Sequence, residues 1–373
     1  MKYLLTALLV WPWLRLLRVL RPCTPGRRLV IQTAKIGDWI NTTPLIRALT
    51  PVEVLCDPVN EPLARRDEHI RLVWTLPGRS SLANKVALGW QLFCRGYDEI
   101  FIAMPNTPNT LLARLACARR THTLDTYKTS ALVRWLGAGF RRQAHGRDDL
   151  TIDSYLRLGG LEPSEAARQK HATQPLHRPD GACLQLASGF RVGVSLSAGN
   201  RLKTLPMSLW ERLLDMLAPY SPAVHVFGLE DERPLLEELR RRLAGSPVTL
   251  VDWLGRGRMP LEAVPWHVAQ MHLYLSSDTG NSYIADSLDV PLVNFAGPCH
   301  MVEQRPLGKR ALIIETPGLQ PFSYIFAAQY ASELPAEKLY AVSDEDFRAI
   351  ARLIDESHRL AQARNWRGSG IRP

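Results

Sequence analysis

Paired cysteines are missing from the sequence: its six cysteines are scattered over 373 residues, and none forms a C-x-x-C pair. This spacing argues against a disulfide scaffold and against a thiolate zinc site, and it favours a reducing compartment. With 24 glycines and 27 prolines, the chain is also not a low-complexity protein. Hydrophobic residues make up 46% and charged residues 22%, which excludes wholesale disorder and a multi-span membrane protein.

Acidic residues are absent before Asp38, and this absence makes the charge uneven. The net charge is +10, and residues 1–30 supply six of these positive charges, which leaves +4 for the other 343 residues. So small an excess, without a basic stripe interleaved with aromatic residues, does not indicate nucleic-acid binding. The positive charge therefore indicates an anionic binding partner for the N-terminal segment and not for the rest of the chain.

A long apolar run is also missing from that segment. Residues 3–14 are uncharged but include Pro12, and a bilayer span needs about 20 apolar residues. From Trp13 the sequence W-L-R-L-L-R-V-L-R spaces three arginines three apart, which predicts an interfacial helix on an anionic membrane surface. We therefore expect a cytoplasmic protein that is peripheral on the inner face of the cytoplasmic membrane. Two alternatives stay open: a helix packed on the protein's own core, and a cleaved or spanning segment.

Short apolar runs alternate with helical stretches in two series, which predicts an α/β protein of two Rossmann-like domains with parallel sheets facing a central cleft. The first series has strands at 29–31, 52–56, 71–76 and 98–104 and helices at 39–49, 81–94 and 107–119. The second has strands at 191–196, 223–227, 248–251, 272–276 and 292–295 and helices at 206–217, 231–243, 261–269 and 279–288. The predicted boundaries are an N-terminal segment 1–25, a first domain 26–160, a linker 161–189, a second domain 190–345, and a C-terminal helix and tail 346–373.

Three loops that follow predicted strands contain residues able to support chemistry, since ligands bind at the carboxyl ends of parallel strands. In the first loop, T-A-K-I-G-D (33–38), Gly37 permits a tight turn and Asp38 stands at the start of a helix. Asp38 is either the N-cap of that helix or a carboxylate that acts as a general base.

The second loop, S-L-S-A-G-N-R-L-K (195–203), combines small residues with Lys203. Its free backbone N–H groups and its lysine suit an anion, although a lysine in solvent gives the same sequence. The third loop, S-S-D-T-G-N-S (276–282), opens a helix. Helix N-termini bind phosphate, whereas Asp278 suits sugar hydroxyls or a helix cap.

Together these loops resemble the heptosyltransferases, glycosyltransferase family nine, over about residues 28–300. The resemblance rests on I-Q-T-A-K-I-G-D-W-I-N-T-T-P-L-I-R-A-L (31–49), S-L-S-A-G-N-R-L-K-T-L-P-M-S-L-W (195–210) and S-D-T-G-N-S-Y-I-A-D-S-L-D-V-P-L-V-N-F-A-G-P (277–298), with His145 and Y-L-R-L-G (155–159) before the linker. The chain departs from the family pattern at Leu205, Tyr283 and Cys299.

The resemblance implies a GT-B fold and inverting transfer of a heptose from ADP-heptose to lipopolysaccharide core or a related glycolipid, without a metal or another cofactor. It implies that Asp38 is the base, with Lys35 and Gly37 on the acceptor side. The donor-binding residues that it implies are Ser197, Gly199, Lys203, Met259, Asp278, Thr279, Gly280, Asn281 and Ser282. Two other functions fit the same fold: a nucleotide-sugar epimerase or hydrolase, and a non-catalytic protein that binds glycolipid or nucleotide sugar.

Overall fold

The computed structural model describes residues 2–179, 189–255, 257 and 259–366, which form two compact units. The first unit ends at Pro175 and also includes Val302–Gln304, and the second takes the other described residues from Leu176 onward. The first unit therefore extends beyond the boundary expected at residue 160. Residues 180–188 of the predicted linker and 367–373 of the predicted tail lie outside the described residues.

The first unit is a parallel sheet with helices. Its described strands are β1 (Arg28–Gln32), β2 (Val52–Cys56), β3 (Ile70–Thr75), β4 (Glu99–Ile102), β5 (Arg120–Thr126) and β6 (Arg141–His145). Its helices are α1 (Lys2–Leu20), α2 (Ile36–Ala48), α3 (Glu61–Ala64), α4 (Leu82–Arg95), α5 (Thr107–Ala116), α6 (Ala131–Leu136) and α7 (Thr151–Leu158). The strand order is β3-β2-β1-β4-β5-β6.

The second unit repeats this architecture. Its described strands are β7 (Arg191–Ser195), β8 (Ala223–Gly228), β9 (Thr249–Leu254), β10 (Leu273–Ser277), β11 (Leu292–Phe295) and β12 (Ala311–Ile314). Its helices are α8 (Met207–Leu217), α9 (Arg233–Arg242), α10 (Val264–Ala269), α11 (Gly280–Ser287), α12 (Ala336–Leu339) and α13 (Asp344–Trp366). The order is β12-β11-β10-β7-β8-β9. Two parallel α/β units confirm the predicted fold class.

Strand order fixes where each unit presents its loops. In the first sheet, β1 to β3 follow one another toward one edge and β4 to β6 toward the other edge. In the second sheet, β7 to β9 and β10 to β12 do the same. The carboxyl ends of such neighbouring pairs are topological switch points, where α/β sheets bind their ligands. The loop with Asp38 follows β1, and the loops with Lys203 and Asp278 follow β7 and β10. All three predicted loops therefore lie at switch points.

The central strands were predictable because they are buried on both faces. All five residues of β2 are buried, as expected for a parallel strand covered by helices. By contrast, β5 has the sequence R-T-H-T-L-D-T and β6 has R-R-Q-A-H. These strands lie at one side of the sheet, and only His145 of β6 is buried. They carry no apolar run, so the sequence analysis missed both.

The N-terminal helix α1 packs on the first unit and continues through Pro12. Ala7 and Leu14 are buried in a cluster with residues of α4 and α5, including Phe93 and Leu115. This is the packing on the protein's own core that the sequence left open. The opposite face is apolar and exposed, at Leu5, Leu8, Leu9, Trp13, Leu16 and Leu17.

The helix α1 is longer than the apolar run that was judged too short to span a bilayer. The uncharged run is twelve residues, but the helix has 19, with a mean hydropathy of 1.5 over its most apolar window. At 1.5 Å per residue it is about 28 Å long, close to the thickness of a bilayer core. By length and composition alone it is therefore long and apolar enough to cross a membrane.

Arg18 fixes the end of α1 to the unit. Its guanidinium donates to the carbonyl oxygens of Ala116 (2.5 Å), Cys117 (3.1 Å) and Phe93 (3.0 Å), and it lies 3.9 Å from the centre of the Phe93 ring. These carbonyls belong to the last turns of α4 and α5, where the helix dipoles favour a cation. Arg18 was expected to face solvent or lipid together with Arg15 and Arg21. It instead faces the protein.

We expect Arg18→Met to destabilise the protein by about 1.5–3 kcal/mol, since hydrogen bonds from a charged group to buried carbonyls are lost. Urea denaturation measures this change, and limited proteolysis between α1 and β1 reports the release of the helix. Arg15→Met is the matched control, because Arg15 is exposed on the same helix. Equal stability of the two variants would show that Arg18 does not anchor α1.

Candidate active site

Asp38 lies inside α2, in its first turn. The helix begins at Ile36, and its N-cap is Lys35, whose side chain makes no capping hydrogen bond. The prediction of a helix from residue 39 and the interpretation of Asp38 as its N-cap are therefore wrong. As the third residue of the helix, the Asp38 carboxylate stands near the positive end of the helix dipole, which favours its ionised form.

The roles expected for Lys35 and Gly37 also change. Gly37 is buried and helical, so it forms no tight turn. The Lys35 side chain is 80% exposed, and its Nζ lies 3.8 Å from Oδ2 of Asp57. A cation in this position is available to a ligand because little of it is covered.

Three amide side chains hold the loop between β1 and α2. Asn60 Nδ2 donates to the carbonyl of Ala34 (2.8 Å), and Asn109 Nδ2 donates to Thr33 Oγ1 (2.8 Å). Gln32 Oε1 accepts from the Ala34 N–H at 3.2 Å. These residues come from separate segments, so sequence analysis missed them. Their joint effect is a loop whose backbone is fixed from three directions.

Tyr155 of α7 is a buried partner of this loop. Its hydroxyl accepts a hydrogen bond from Gln32 Nε2 at 3.2 Å. Burial, followed by the negative charge of Asp38, raises the pKa of Tyr155 above its usual range. The phenol therefore stays neutral. Gln32 Nε2 also donates to Thr42 Oγ1 at 3.0 Å, and the Thr42 hydroxyl donates to the backbone carbonyl of Asp38 at 2.8 Å, so these hydrogen bonds link Tyr155 to the first turn of α2.

His145 belongs to a second cluster, which holds α7 in place. Its Nδ1 is 2.8 Å from Ser154 Oγ, and its Nε2 is 3.1 Å from Oε1 of Glu303. Tyr127 donates to the same carboxylate oxygen at 2.7 Å. The backbone N–H and the hydroxyl of Thr151 both donate to the Glu303 carbonyl at 2.8 Å. The cluster fixes the helix that carries Tyr155.

In the second unit, the structure brings Lys203 and Asp278 together. Lys203 Nζ is 2.5 Å from Asp278 Oδ2, although 75 residues separate them. Ser277 Oγ donates to the backbone carbonyl of Lys203, which joins the same two loops. Only 23% of the Lys203 side chain is exposed. The alternative of a lysine in solvent is therefore wrong.

Asp278 is ionised in a buried setting. Burial acts to raise its pKa, but the Lys203 ammonium and the hydrogen bonds that the carboxylate accepts together outweigh burial and hold the pKa below its usual range. Tyr283 supports the carboxylate with a hydrogen bond from its hydroxyl to Oδ1 at 2.7 Å. Burial raises the pKa of the Cys299 thiol to about 12, so this group is a neutral donor to Asp278. Tyr283 and Cys299, two departures from the family pattern, thus both contact one carboxylate.

The turn after Asp278 is capped by Thr279. Its hydroxyl accepts from the Ser282 N–H and the Ser282 hydroxyl accepts from the Thr279 N–H, both at 3.3 Å. The cap of α11 is therefore Thr279 and not Asp278. Both amides were expected to meet phosphate, but both already have partners. Gly280 and Asn281 lie between them at the start of the helix, and Asn281 Nδ2 donates to Ser195 Oγ at 3.0 Å.

The loop after β7 is partly occupied by a carboxylate that the sequence analysis missed. The Ser197 N–H, expected to bind an anion, donates to Glu232 Oε2 at 3.2 Å. Burial raises the pKa of Glu232 even though amide N–H groups donate to it. Gly199 is exposed with open space around it. Met259 is buried and donates its N–H to the carbonyl of Gly255 at 3.1 Å.

The ion pair gives a stability prediction with a definite sign. Lys203→Met leaves a buried carboxylate without its cation, which costs about 3–5 kcal/mol at neutral pH. In the wild type, the stability contributed by Asp278 is present above its unfolded-state pKa and is lost as the pH falls through its lowered folded-state pKa. Without Lys203 the folded-state pKa of Asp278 rises, so protonation relieves the penalty. We expect the difference in unfolding free energy to shrink on acidification.

Denaturant titrations at several pH values between 4 and 8 measure this difference. Lys338→Met, at an exposed position of the same unit, is the control for loss of a lysine. A destabilisation that does not change with pH would contradict the assignment of Asp278 as the ionised partner of Lys203.

Slightly less than half of the chain matches a known family model. Residues 153–322, from α7 to beyond β12, match the family model described as glycosyltransferase family 9 (heptosyltransferase). That stretch contains both loops of the Lys203–Asp278 pair. A comparison with curated protein sequences finds no match.

Solved structures show the same fold. A glycosyl transferase family 9 protein from Veillonella parvula is 16% identical over 88% of this chain and 97% of its own, with a TM-score of 0.67. The E. coli heptosyltransferase WaaC, solved with ADP, is 19% identical over 89% and 99%, with a TM-score of 0.63. E. coli ADP-heptose lps heptosyltransferase II is 17% identical over 88% and 99%, with a TM-score of 0.62. These matches confirm the resemblance found in the sequence: residues 153–322 match the heptosyltransferase family model, and the chain shares the GT-B fold of the solved heptosyltransferases.

Proposed function

We propose that this protein is a glycosyltransferase that moves a heptose, or a similar sugar, from ADP-heptose to lipopolysaccharide core or a related glycolipid, with inversion and without a metal or other cofactor. The observation that carries the proposal is the Lys203–Asp278 pair at the switch point of the second sheet. A cation beside a polar turn at this point suits a diphosphate joined to a sugar. The structure of WaaC with ADP, a protein of the same fold, supports the choice of nucleotide.

The reaction requires one base and one stabilised leaving group. In the proposed step, Asp38 accepts the proton of the acceptor hydroxyl as that oxygen forms a bond to the anomeric carbon. The bond from this carbon to the diphosphate oxygen breaks on the opposite face, so one inversion results. A second carboxylic acid, which an inverting hydrolase needs, is unnecessary because a diphosphate leaves readily as an anion.

The position of Asp38 suits this role. Its place in the first turn of α2 favours the carboxylate over the acid. The asparagines that hold the preceding loop fix the backbone, and a fixed backbone limits the reorganisation needed to reach the reacting geometry. The exposed Lys35, one turn earlier, is proposed to meet an anionic group of the acceptor.

Lys203 is proposed to neutralise the charge that grows on the departing diphosphate. Its ion pair with Asp278 holds the ammonium in place before the donor arrives, so little reorganisation is needed at the moment of reaction. Asp278 and Thr279 are proposed to bind the sugar. Gly280 and Asn281 supply the remaining contacts to phosphate at the start of α11, with Ser197, Gly199 and Ser282 around them. Met259 is proposed to line the pocket for the base.

The central test is Asp38→Asn, which preserves size but removes the base. We expect transfer from ADP-heptose to decrease by about 100- to 10,000-fold, the range for loss of a general base. ADP should stabilise the variant against heat as strongly as it stabilises the wild type, because Asp38 is not placed among the donor-binding residues. Product formation with a lipopolysaccharide-core acceptor and thermal shift with ADP provide the two measurements.

The control is Asp215→Asn, at an exposed position in the second unit. Near-normal transfer by folded Asp38→Asn would overturn the assignment of the base. Consumption of the nucleotide sugar without an acceptor would instead indicate an epimerase or hydrolase. The absence of stabilisation by ADP, ADP-heptose and a panel of other nucleotide sugars would favour a non-catalytic glycolipid-binding protein.

We also propose that α1 binds the inner face of the cytoplasmic membrane from the cytoplasm. Its outer face exposes 69% of Leu9 and 69% of Trp13, and Arg15 is exposed beside them. An apolar face flanked by arginine suits the surface of an anionic bilayer. Such attachment would keep the enzyme close to a lipid-linked acceptor.

Replacing Leu9 and Trp13 by glutamate should abolish co-sedimentation with vesicles that contain phosphatidylglycerol. Each substitution places a charge on the face that would enter the lipid, while the buried face of α1 is unchanged. Leu360→Glu, at an exposed leucine of α13, is the control for added negative charge. Undiminished vesicle binding by the Leu9→Glu/Trp13→Glu variant would disprove the role of this face.

A further inference from the structure

A cluster of two histidines and one aspartate lies in the first unit, outside the residues proposed for transfer. Asp67 and His69 stand between α3 and β3, and His171 belongs to the irregular segment after α7. One side-chain ligand atom from each residue lies within 4.8 Å of the other two. The centroids of the His69 and His171 imidazole rings are 5.3 Å apart and the ring planes are inclined at 65°, so the rings do not stack.

The hydrogen bonds within the cluster leave nitrogen atoms unused. Asp67 Oδ2 is 2.7 Å from His171 Nε2, and Asp67 Oδ1 accepts the backbone N–H of His69 at 3.0 Å. His69 Nε2 and His171 Nδ1 are buried and have no hydrogen-bond partner among the described residues. The side chain of His171 is only 8% exposed. Buried polar atoms without partners are costly, and a cation bound beside Asp67 would take one nitrogen lone pair from each imidazole.

We propose that Asp67, His69 and His171 form a binding site for a divalent transition metal ion, and that Zn²⁺ is the ion that fits it best. Two imidazoles and one carboxylate are a common ligand set for zinc. Around one zinc ion such ligand atoms lie about 2.0–2.2 Å from the metal, and hence about 3–4 Å from each other. The ligand atoms, all within 4.8 Å of one another, are close enough together to share one ion.

The expected effect of the ion is structural. The segment around His171 already contacts the Asp67 loop, because the Glu68 N–H donates to the carbonyl of Gln174 at 2.7 Å. The His171 N–H donates to Thr43 Oγ1 at 3.0 Å, and Thr43 belongs to α2, the helix that carries Asp38. A metal ion would therefore cross-link the loop after α3 to the segment that contacts α2. It takes no part in the proposed transfer step.

Metal binding is tested on the untagged full-length protein after removal of metals with a chelator. Titration with zinc chloride should show one equivalent bound and an increase in melting temperature, since a ligand that binds only the folded state stabilises it. Cobalt chloride should give visible absorption bands of low-symmetry Co²⁺ bound by nitrogen and oxygen. His69→Gln and Asp67→Asn should each weaken zinc binding by at least about tenfold.

His358→Gln is the matched control, because His358 belongs to the second unit and is outside the cluster. It should bind zinc as the wild type does. If the wild-type protein shows no stoichiometric zinc binding, or if the His69→Gln variant binds as tightly as the control, the cluster is only a histidine–aspartate hydrogen bond and the proposal is wrong. Because the wild-type titration stands alone, it decides the question even if a variant fails to fold.

Discussion

The reversal of strand order beside the first strand of each sheet is the constraint on which the other features depend. In the first sheet β2 and β4 lie on opposite sides of β1, and in the second β8 and β10 lie on opposite sides of β7. The loops after β1 and β4 therefore run in opposite directions, and so do the loops after β7 and β10. Between these loops a crevice remains at the end of the sheet, and polar side chains can lie there although the faces of the sheet are covered by helices. In the second unit this crevice is filled by one buried ion pair, and in the first by a carboxylate among amides and a phenol.

The fold and the location of these loops could be predicted from the sequence. Strands such as β2 and β11 are short, buried and mostly apolar, and their pattern differs from that of the helices between them. The loops stood out because glycine, small residues and single charges followed such runs. The two strands β5 and β6 could not be found in this way, since their burial is partial and their side chains are polar.

Details of the candidate site depend on contacts between distant segments, which no local pattern contains. Of the two interpretations of Asp38, the helix cap was wrong because the helix begins two residues before it. The backbone N–H of Ser197 was expected to bind an anionic ligand, but it donates its hydrogen bond to the carboxylate of Glu232, 35 residues later. Likewise, only the folded chain shows that Lys203 and Asp278 neutralise each other.

Val302–Gln304 belong to the first unit although the residues on both sides of them belong to the second. This arrangement limits where the protein can be cut into two fragments. Those three residues follow β11 in the sequence, yet Glu303 is the buried acceptor for Tyr127 and a partner of His145. A fragment that stops near residue 175 would keep the six strands of its sheet but lack that carboxylate. The helix carrying Tyr155 would lose part of its support. The first unit therefore depends on a carboxylate that the sequence supplies between two segments of the second unit.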